Sequence, residues 1–530
     1  MPSMEPEVYQ QRWLKLRDGK VDVEALGHLS RQIGFSFVDR YFQKGLYEPA
    51  YIDLLCEMGT FHSKPDLDNI AAAALFGIVV EKLCDDFEEL PVELYARVMC
   101  QIISFCRTVP AGRDLDEKLT GFGIVSPQQL YERALSVHTR PYRYAVDRAP
   151  SRIVLLSRVT IGADVAILSV MIQRLLRLFP QTDIVVMGNG KLAGLFEGDP
   201  RIRLRAISYA RRGGLFERFA GWHAAMEILR DEMPDDGERS ILVIDPDSRI
   251  SQLGVLPLLH GENYLFFNTR HHAAATAGRC MAERTNDWMD AVFGAAEFCH
   301  PTVWTAPTTL ETARMRIDGL RAVGARHIIA VNLGVGQNPR KRISLEFEKR
   351  LVRALAAVPA TVVLLDRGFG PDETERSWQI MADARHCGLP CIETHFSSPN
   401  FPSMAHGVLV VECGIAEVAA LIAHSDEYIG YDSACQHVAA AVKTPTLTIF
   451  AGSNNMNFIR RWSACGDTEC RIVHVNTLTD PHHVDIDEII MRITQERAGR
   501  TLGSPQQRIH EMRTRRRRRR STQEPVTESE

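Results

Sequence analysis

What this chain has little of narrows it first. Its 530 residues include twelve cysteines, none of them in the paired C-x-x-C spacing of a zinc site. They are expected as reduced thiols, most of them acting as small buried hydrophobes. The loose group of Cys465 and Cys470, with Cys413 and Cys435 in the same half, is not expected to hold a metal. Long apolar runs are also missing, so no segment reads as a transmembrane span. Residues 1–10 are polar and lack the basic-then-apolar order of a signal peptide, which leads us to expect a cytoplasmic location. Charge of one sign is scarce overall. A formal net charge of −4 with 45% hydrophobic residues does not describe a protein built to wrap nucleic acid, and no specific nucleic-acid partner is expected. The length exceeds what one core sustains, so two or three domains are expected.

Patterning divides the chain. Residues 21–137 read as helices throughout: 69–87 and 91–109 carry apolar residues at three- and four-residue spacing, and alternating β-branched runs are absent. Residues 139–150, with proline at both ends and interleaved Arg and Tyr, read as a linker. From Ser151 the order becomes strand, turn, helix, strand, the signal for parallel sheets with crossovers. Strands are expected at 153–156, 184–187 and 241–244, with a helix over 165–179 whose apolar face leaves Arg174 and Arg177 toward solvent. A second alternation begins at 327–333 and continues through 361–365, 407–411, 427–431 and 446–450.

The most informative stretch is 427–452, where a buried strand runs into a small-residue helix and then a second strand. Its turn carries Asp432, Ser433, Gln436 and His437. Ser433 and Gln436 have the S-x-x-Q spacing of a capping box. The free amides of such a first turn, together with the helix dipole, favour an anion, so a nucleotide's phosphates are expected there. Any capped βαβ unit shares these features, and His437 is equally readable as a polar packing residue.

Asp432, Ser433, His437, Ala439, Ala440, Ala441, Pro445, Thr446 and Phe450 form a D-S-x-x-x-H-x-A-A-A-x-x-x-P-T-x-x-x-F pattern. It resembles the signature of glycosyltransferase family 9, the ADP-heptose:lipopolysaccharide heptosyltransferase group. Residues 153–156 followed by Ile161-Gly162-Ala163-Asp164 resemble that family's first strand and Gly-Asp turn, with Ala163 inserted. Residues 331–336 and Lys341 resemble its phosphate-facing loop, and 364–376 the strand and acidic turn beyond it. The resemblance spans about residues 151–498. It implies an α/β fold of two Rossmann-like doubly wound domains (GT-B architecture) preceded by an all-helical N-terminal domain. The divisions are 1–150 (helical domain and linker), 151–324 (acceptor side), 325–498 (nucleotide-sugar side) and 499–530 (tail). Ligands of such sheets lie at the carboxyl ends of the strands.

The resemblance also implies roles. Asp164 is expected as general base, the alternative being a helix N-cap. Lys341 is expected to offset charge on the departing diphosphate, with Arg340 and Arg342 beside it. Gly336, Gln337, Asp432, Ser433, Ala434 and His437 would meet the donor nucleotide. Glu373 would accept from ribose hydroxyls, with Asp372 and Glu375 close enough in sequence to be confused with it. The reaction implied is an inverting, metal-independent transfer from ADP-heptose or a similar nucleoside diphosphate sugar to a glycan or lipid-linked acceptor, with no cofactor. Asp245-Pro246-Asp247 has D-x-D spacing but fits a turn better. Arg249, Arg270, His271 and His272 are candidates to meet an acidic acceptor. Two rival readings stand beside this one: a catalytically idle nucleotide-sugar binder or scaffold, and another GT-B enzyme such as a sugar epimerase. The run from Arg515 to Arg520, followed by a Ser/Thr/Glu-rich end, reads as disordered tail, with peripheral contact at the inner face of the membrane as its functional alternative.

Overall fold

A computed structural model describes residues 4–19, 22–61, 64–80, 89–210, 212–271, 278–336, 338–479 and 484–501. Gln337, His272 and the arginine run at 515–520 lie outside the described residues.

Two parallel sheets organise the chain. The first contains β1 (Arg152–Leu156), β2 (Asp183–Gly188), β3 (Ile202–Ala206), β4 (Ile241–Asp245) and β5 (Tyr264–Phe266) in the order β3-β2-β1-β4-β5. The second contains β6 (His327–Asn332), β7 (Thr361–Asp366), β8 (Cys391–His395), β9 (Gly407–Glu412), β10 (Glu427–Tyr431), β11 (Thr446–Phe450) and β12 (Cys470–His474) in the order β12-β11-β10-β6-β7-β9-β8. The central strands are continuous apolar runs because both of their faces are covered. The strand order reverses between β1 and β4 in one sheet and between β6 and β10 in the other. In open parallel sheets ligands bind outside the carboxyl ends of the strands at such reversals.

Period-two alternation distributes the core. Val154, Leu156, Val185, Met187, Ile241 and Val243 point to one face of the first sheet, where the helices Val23–Lys44, Pro49–Met58, Glu89–Thr108 and Ala220–Glu232 complete a single apolar cluster. The N-terminal helices thus bury their apolar stripe against each other and against this sheet. Arg133 fastens them further, donating to Gly254 O and Val255 O at 2.7 and 2.9 Å. Ile153, Leu155, Ile184, Val186, Leu242 and Ile244 point the other way, toward the helices Ser169–Leu178 and Met281–Phe293. That second cluster runs on into Val418, Ala419, Val438 and Ala439 of the second sheet's helices, so the two sheet units share one core at their junction.

Several local expectations change. Arg174 is buried, not solvent-facing, because Met281–Phe293 packs over it; it pairs with Asp290 at 2.7 Å and donates to Gly294 O at 3.0 Å. The stretch read as linker is strapped down, with Tyr144 N bonded to Val292 O and its ring against Phe179 and Phe293. The helix Pro307–Ala322 precedes β6 and packs on the second sheet through Ala313, Ile317 and Leu320. Among the described residues no helix is long and apolar enough to cross a membrane.

Candidate functional site

At the switch point of the second sheet, Asn332 ends β6 directly beside Gly430 of β10. The two strands then part, β6 into a loop toward Lys341 and β10 into Asp432 and Ser433. Across this gap the Lys341 ammonium lies 2.6 Å from Asp432 Oδ2 and 3.2 Å from Asp432 O. The other Asp432 oxygen accepts from Gln436 Nε2 at 2.6 Å. One carboxylate therefore ties the lysine to the first turn of the helix Ala434–Ala441. The Lys341 turn is held in place from below: Gly452 has φ +74°, and a Cβ there would sit 2.2 Å from Arg340 O.

The predicted capping box does not form. Ser433 makes no side-chain cap and instead donates to Asn332 Oδ1 at 3.4 Å, while Gln436 goes to Asp432. Asn332 in turn donates to Asp366 Oδ2 at 2.5 Å, and burial pushes Asp366 up to about 6. A chain of polar contacts thus links the exits of β10, β6 and β7. The first turn of the helix is left without a side-chain cap, which suits an incoming anion. His437 is buried and its pKa is pushed down to about 3, first by burial and then by the Lys341 charge. It is a neutral ring set edge-on to Trp462, with centroids 6.2 Å apart.

Glu373 lies beside the same crevice but is occupied by main chain. Its Oε1 accepts from Val335 N and Gly336 N at 3.0 and 3.2 Å, and its Oε2 from Phe369 N at 2.8 Å. The anion for which Gly334 makes room is this carboxylate, since a Cβ at Gly334 would be 2.9 Å from Glu373 Oε2. Gly336, at φ +60°, has open space around it. Asp372 is exposed and pairs with Arg342 at 2.5 Å. Glu375 contacts Gln379 on its own helix.

The first sheet's switch point holds Asp164. Its carboxylate is 1% exposed and faces backward, accepting from Ser157 Oγ and Arg158 N, both at 2.7 Å. It is not an N-cap; that place belongs to Thr160, which makes no side-chain cap. Residues Asp164–Leu168 form a π-helical turn before the α-helix resumes at Ser169. Burial raises the Asp164 carboxyl to about 7, against the lowering effect of its two donors.

Around it two residues hold strained backbone. Val159 and Asp247 adopt φ +63° and +64°, and the former is β-branched. Asp247 accepts from Thr269 at 2.7 Å and pairs with Arg270, with Arg158 3.7 Å away. Asp245 accepts from Ser248 N and Tyr264 Oη, both at 2.7 Å. Both carboxylates of the D-x-D spacing are thus engaged by protein donors, as befits a turn. Among the described residues no group of three or more His, Cys, Asp or Glu is placed to hold a metal ion.

The units meet at glycine. A Cβ on Gly162 would lie 3.1 Å from both Ala434 Cα and His437 Cδ2, and one on Gly194 would lie 2.8 Å from Ala416 Cβ. The Gly162–Asp164 turn of the first sheet is therefore pressed on the uncapped end of the second sheet's helix. Gly162→Val is expected to destabilise the protein by about 1–3 kcal/mol through overpacking, read as a lowered unfolding midpoint, with Gly162→Ala milder.

Residues 402–479, which include the Asp432–Phe450 pattern, match the family model described as glycosyltransferase family 9 (heptosyltransferase). Over these residues the chain is similar to glycosyltransferase family 9. A segment of 113 residues, 21% of this chain, is 47% identical to lipopolysaccharide heptosyltransferase 3 of Escherichia coli. It spans 28% of that relative's length. Among solved structures, a family 9 glycosyl transferase from Veillonella parvula DSM 2008 is similar at 13% identity and TM-score 0.45, covering 65% of this chain and 98% of that one. E. coli heptosyltransferase WaaC with ADP is similar at 15% identity and TM-score 0.44, covering 65% and 99%.

Of the residues expected in the site, Lys341, Asp432, Ser433, Ala434 and His437 come together at one crevice, with Gly336 and Glu373 beside it and Asp164 behind the facing turn. Sequence reasoning missed a buried arginine group. Arg158, Arg284 and Arg461 join Arg270 near the first switch point, and burial pushes Arg158 and Arg461 down to about 10. They share no local signal, since Arg270 and Arg284 sit among polar residues in the chain.

Proposed function

We propose that this protein is an inverting, metal-independent glycosyltransferase of GT-B architecture, taking a sugar from a nucleoside diphosphate and giving it to an acceptor hydroxyl. The observation that carries the reading is the Lys341 ammonium meeting the uncapped helix Ala434–Ala441 at a topological switch point, with the Asp164 turn of the other sheet pressed against it. A diphosphate leaving group gathers negative charge as the glycosidic bond breaks. A point charge and oriented amides at that place stabilise it. Asp164, ionising near neutrality, has the proton affinity of a general base. The family description and the relative's name favour a heptose as the sugar transferred, with ADP-heptose the donor that the sequence resemblance implies. The buried arginines favour an acidic glycan or lipid-linked acceptor, with His271 next to Arg270 in the chain and the Arg249 charge acting on Arg158. Attachment to the inner face of the membrane through Arg515 to Arg520 belongs to the same reading.

Thermal unfolding with ADP, GDP, UDP and ADP-heptose tests it. A ligand at 100 times its dissociation constant stabilises by about 2.7 kcal/mol, a clear rise in midpoint. ADP and ADP-heptose are expected to give that rise; silence from every nucleotide would sink the reading. The near-complete burial of Asp164 favours a second reading, an idle nucleotide-sugar binder or scaffold of the same fold. Such a protein would bind ADP-heptose yet release no ADP with any acceptor, and Asp164→Ala would change nothing in its binding.

A further inference from the structure

The loop after β7 presents an aromatic ring to solvent in a way the site so far does not use. Phe369 is 79% exposed, flanked by Gly368 at φ +83° and Gly370 at φ +88°. Two left-handed glycines in three residues turn the chain tightly over Glu373: a Cβ on Gly368 would lie 2.6 Å from Glu373 Cβ. The same carboxylate fixes Phe369 N at 2.8 Å. The backbone beneath the ring is therefore pinned while the ring stands clear. One face is touched from across the crevice, where the Lys191 ammonium of the first unit lies 3.5 Å from the ring centroid. Exposure this large, with a cation already on one face, leaves the opposite face bare.

The order of groups along the crevice fits a particular ligand. The uncapped helix turn and Lys341 come first. Arg342 follows, 3.5 Å from Glu373 Oε1, then Glu373 itself, then the Phe369 amide bonded to it. A nucleoside diphosphate has the same sequence of parts: diphosphate, ribose, base. We propose that the bare face of the Phe369 ring is the stacking platform for the nucleobase of the donor, with Lys191 of the facing unit steadying the ring from behind. This rests on the nucleoside diphosphate reading above. Stacking on an aromatic face is tolerant of base identity because every base has a π-face. The platform therefore contributes affinity, and choice among bases falls to other contacts.

Isothermal titration of the full chain, Phe369→Ala and Phe369→Tyr with ADP, UDP and inorganic pyrophosphate separates the possibilities. Phe369→Ala is expected to weaken ADP and UDP roughly tenfold or more while leaving pyrophosphate within about twofold, and Phe369→Tyr to restore both nucleotides. An unchanged unfolding midpoint is expected for both variants, since the ring is exposed. Unaltered ADP affinity in Phe369→Ala overturns the platform and leaves Lys191–Phe369 a mere contact between units. Equal loss of pyrophosphate overturns it too, because the damage then lies at the phosphates. Wild-type protein that binds pyrophosphate but no nucleotide overturns the platform alone; wild-type protein that binds none of the three removes the underlying reading as well.

Discussion

Lys341→Ala is expected to lower kcat for sugar transfer by roughly 10²–10³, the scale on which one preorganised charge at a developing anion counts. The same change strands Asp432, whose side chain is only 6% exposed, without its cation. Lys341 is itself a quarter exposed, so this loss is below that of a fully buried pair, about 1–3 kcal/mol. Two effects from one substitution must be separated. Adding Asp432→Asn removes the stranded charge, and the amide oxygen still accepts from Gln436. The double variant should regain most of the unfolding midpoint and none of the transfer rate. Lys341→Arg should regain stability likewise but little rate, because a planar fork does not replace a compact ammonium in a gap fitted to one. Recovery of transfer in the double variant would mean that Lys341 only neutralises Asp432.

How much of this was legible follows from burial. Strands β1, β2, β4, β6, β7, β9, β10 and β11 were expected within about two residues of where they lie, because central parallel strands are covered on both faces and read as unbroken apolar runs. β3, β5, β8 and β12 were not seen; β5 is buried but only three residues long, too short to stand out. All four are edge strands, and β3, β8 and β12 carry partly exposed residues such as Arg203, Arg205, Glu393 and Arg471, whose composition does not separate them from loop. The Asp432–His437 turn was visible from spacing. Its hydrogen bonds were not, since what diverts Ser433 from its cap is Asn332, about a hundred residues earlier. Arg174 was placed on the wrong side because a single helix's wheel cannot show that a later helix will cover its polar face. Glu373 was expected to accept from ribose hydroxyls; the partners the structure gives it are amides of two loops, which no spacing shows. The arginine group is the limiting case: Arg158 and Arg461 stand 303 residues apart in the chain, and no local pattern announces that both come near Arg270.

Asp164 gives the sharpest pH dependence. Its folded-state pKa of about 7 stands above the ordinary 3.8 because burial disfavours the carboxylate. Between those two values the unfolded chain has released the proton and the folded chain holds it, so stability falls as pH rises through that window and is level above about 7. The full span is on the order of 4 kcal/mol, from 1.36 kcal/mol per unit of pKa. Asp245 and Asp366, raised to about 6 by burial, add slopes of the same sign. Asp164→Asn isolates the term of interest. The amide oxygen accepts from Arg158 N, the amide nitrogen meets Ser157 Oγ, and the packing volume is kept. Denaturant midpoints of the two proteins should therefore diverge most near pH 7, with wild type the less stable relative to its value at pH 4. Transfer should respond in the opposite sense. A base works only when ionised, so wild-type kcat/KM should climb through about pH 7, and Asp164→Asn should fall by 10²-fold or more with that limb gone. A wild-type rate flat from pH 5 to 8, together with an Asp164→Asn variant that still transfers, would assign Asp164 to holding the strained Ser157–Val159 turn and send the search for the base elsewhere in the crevice.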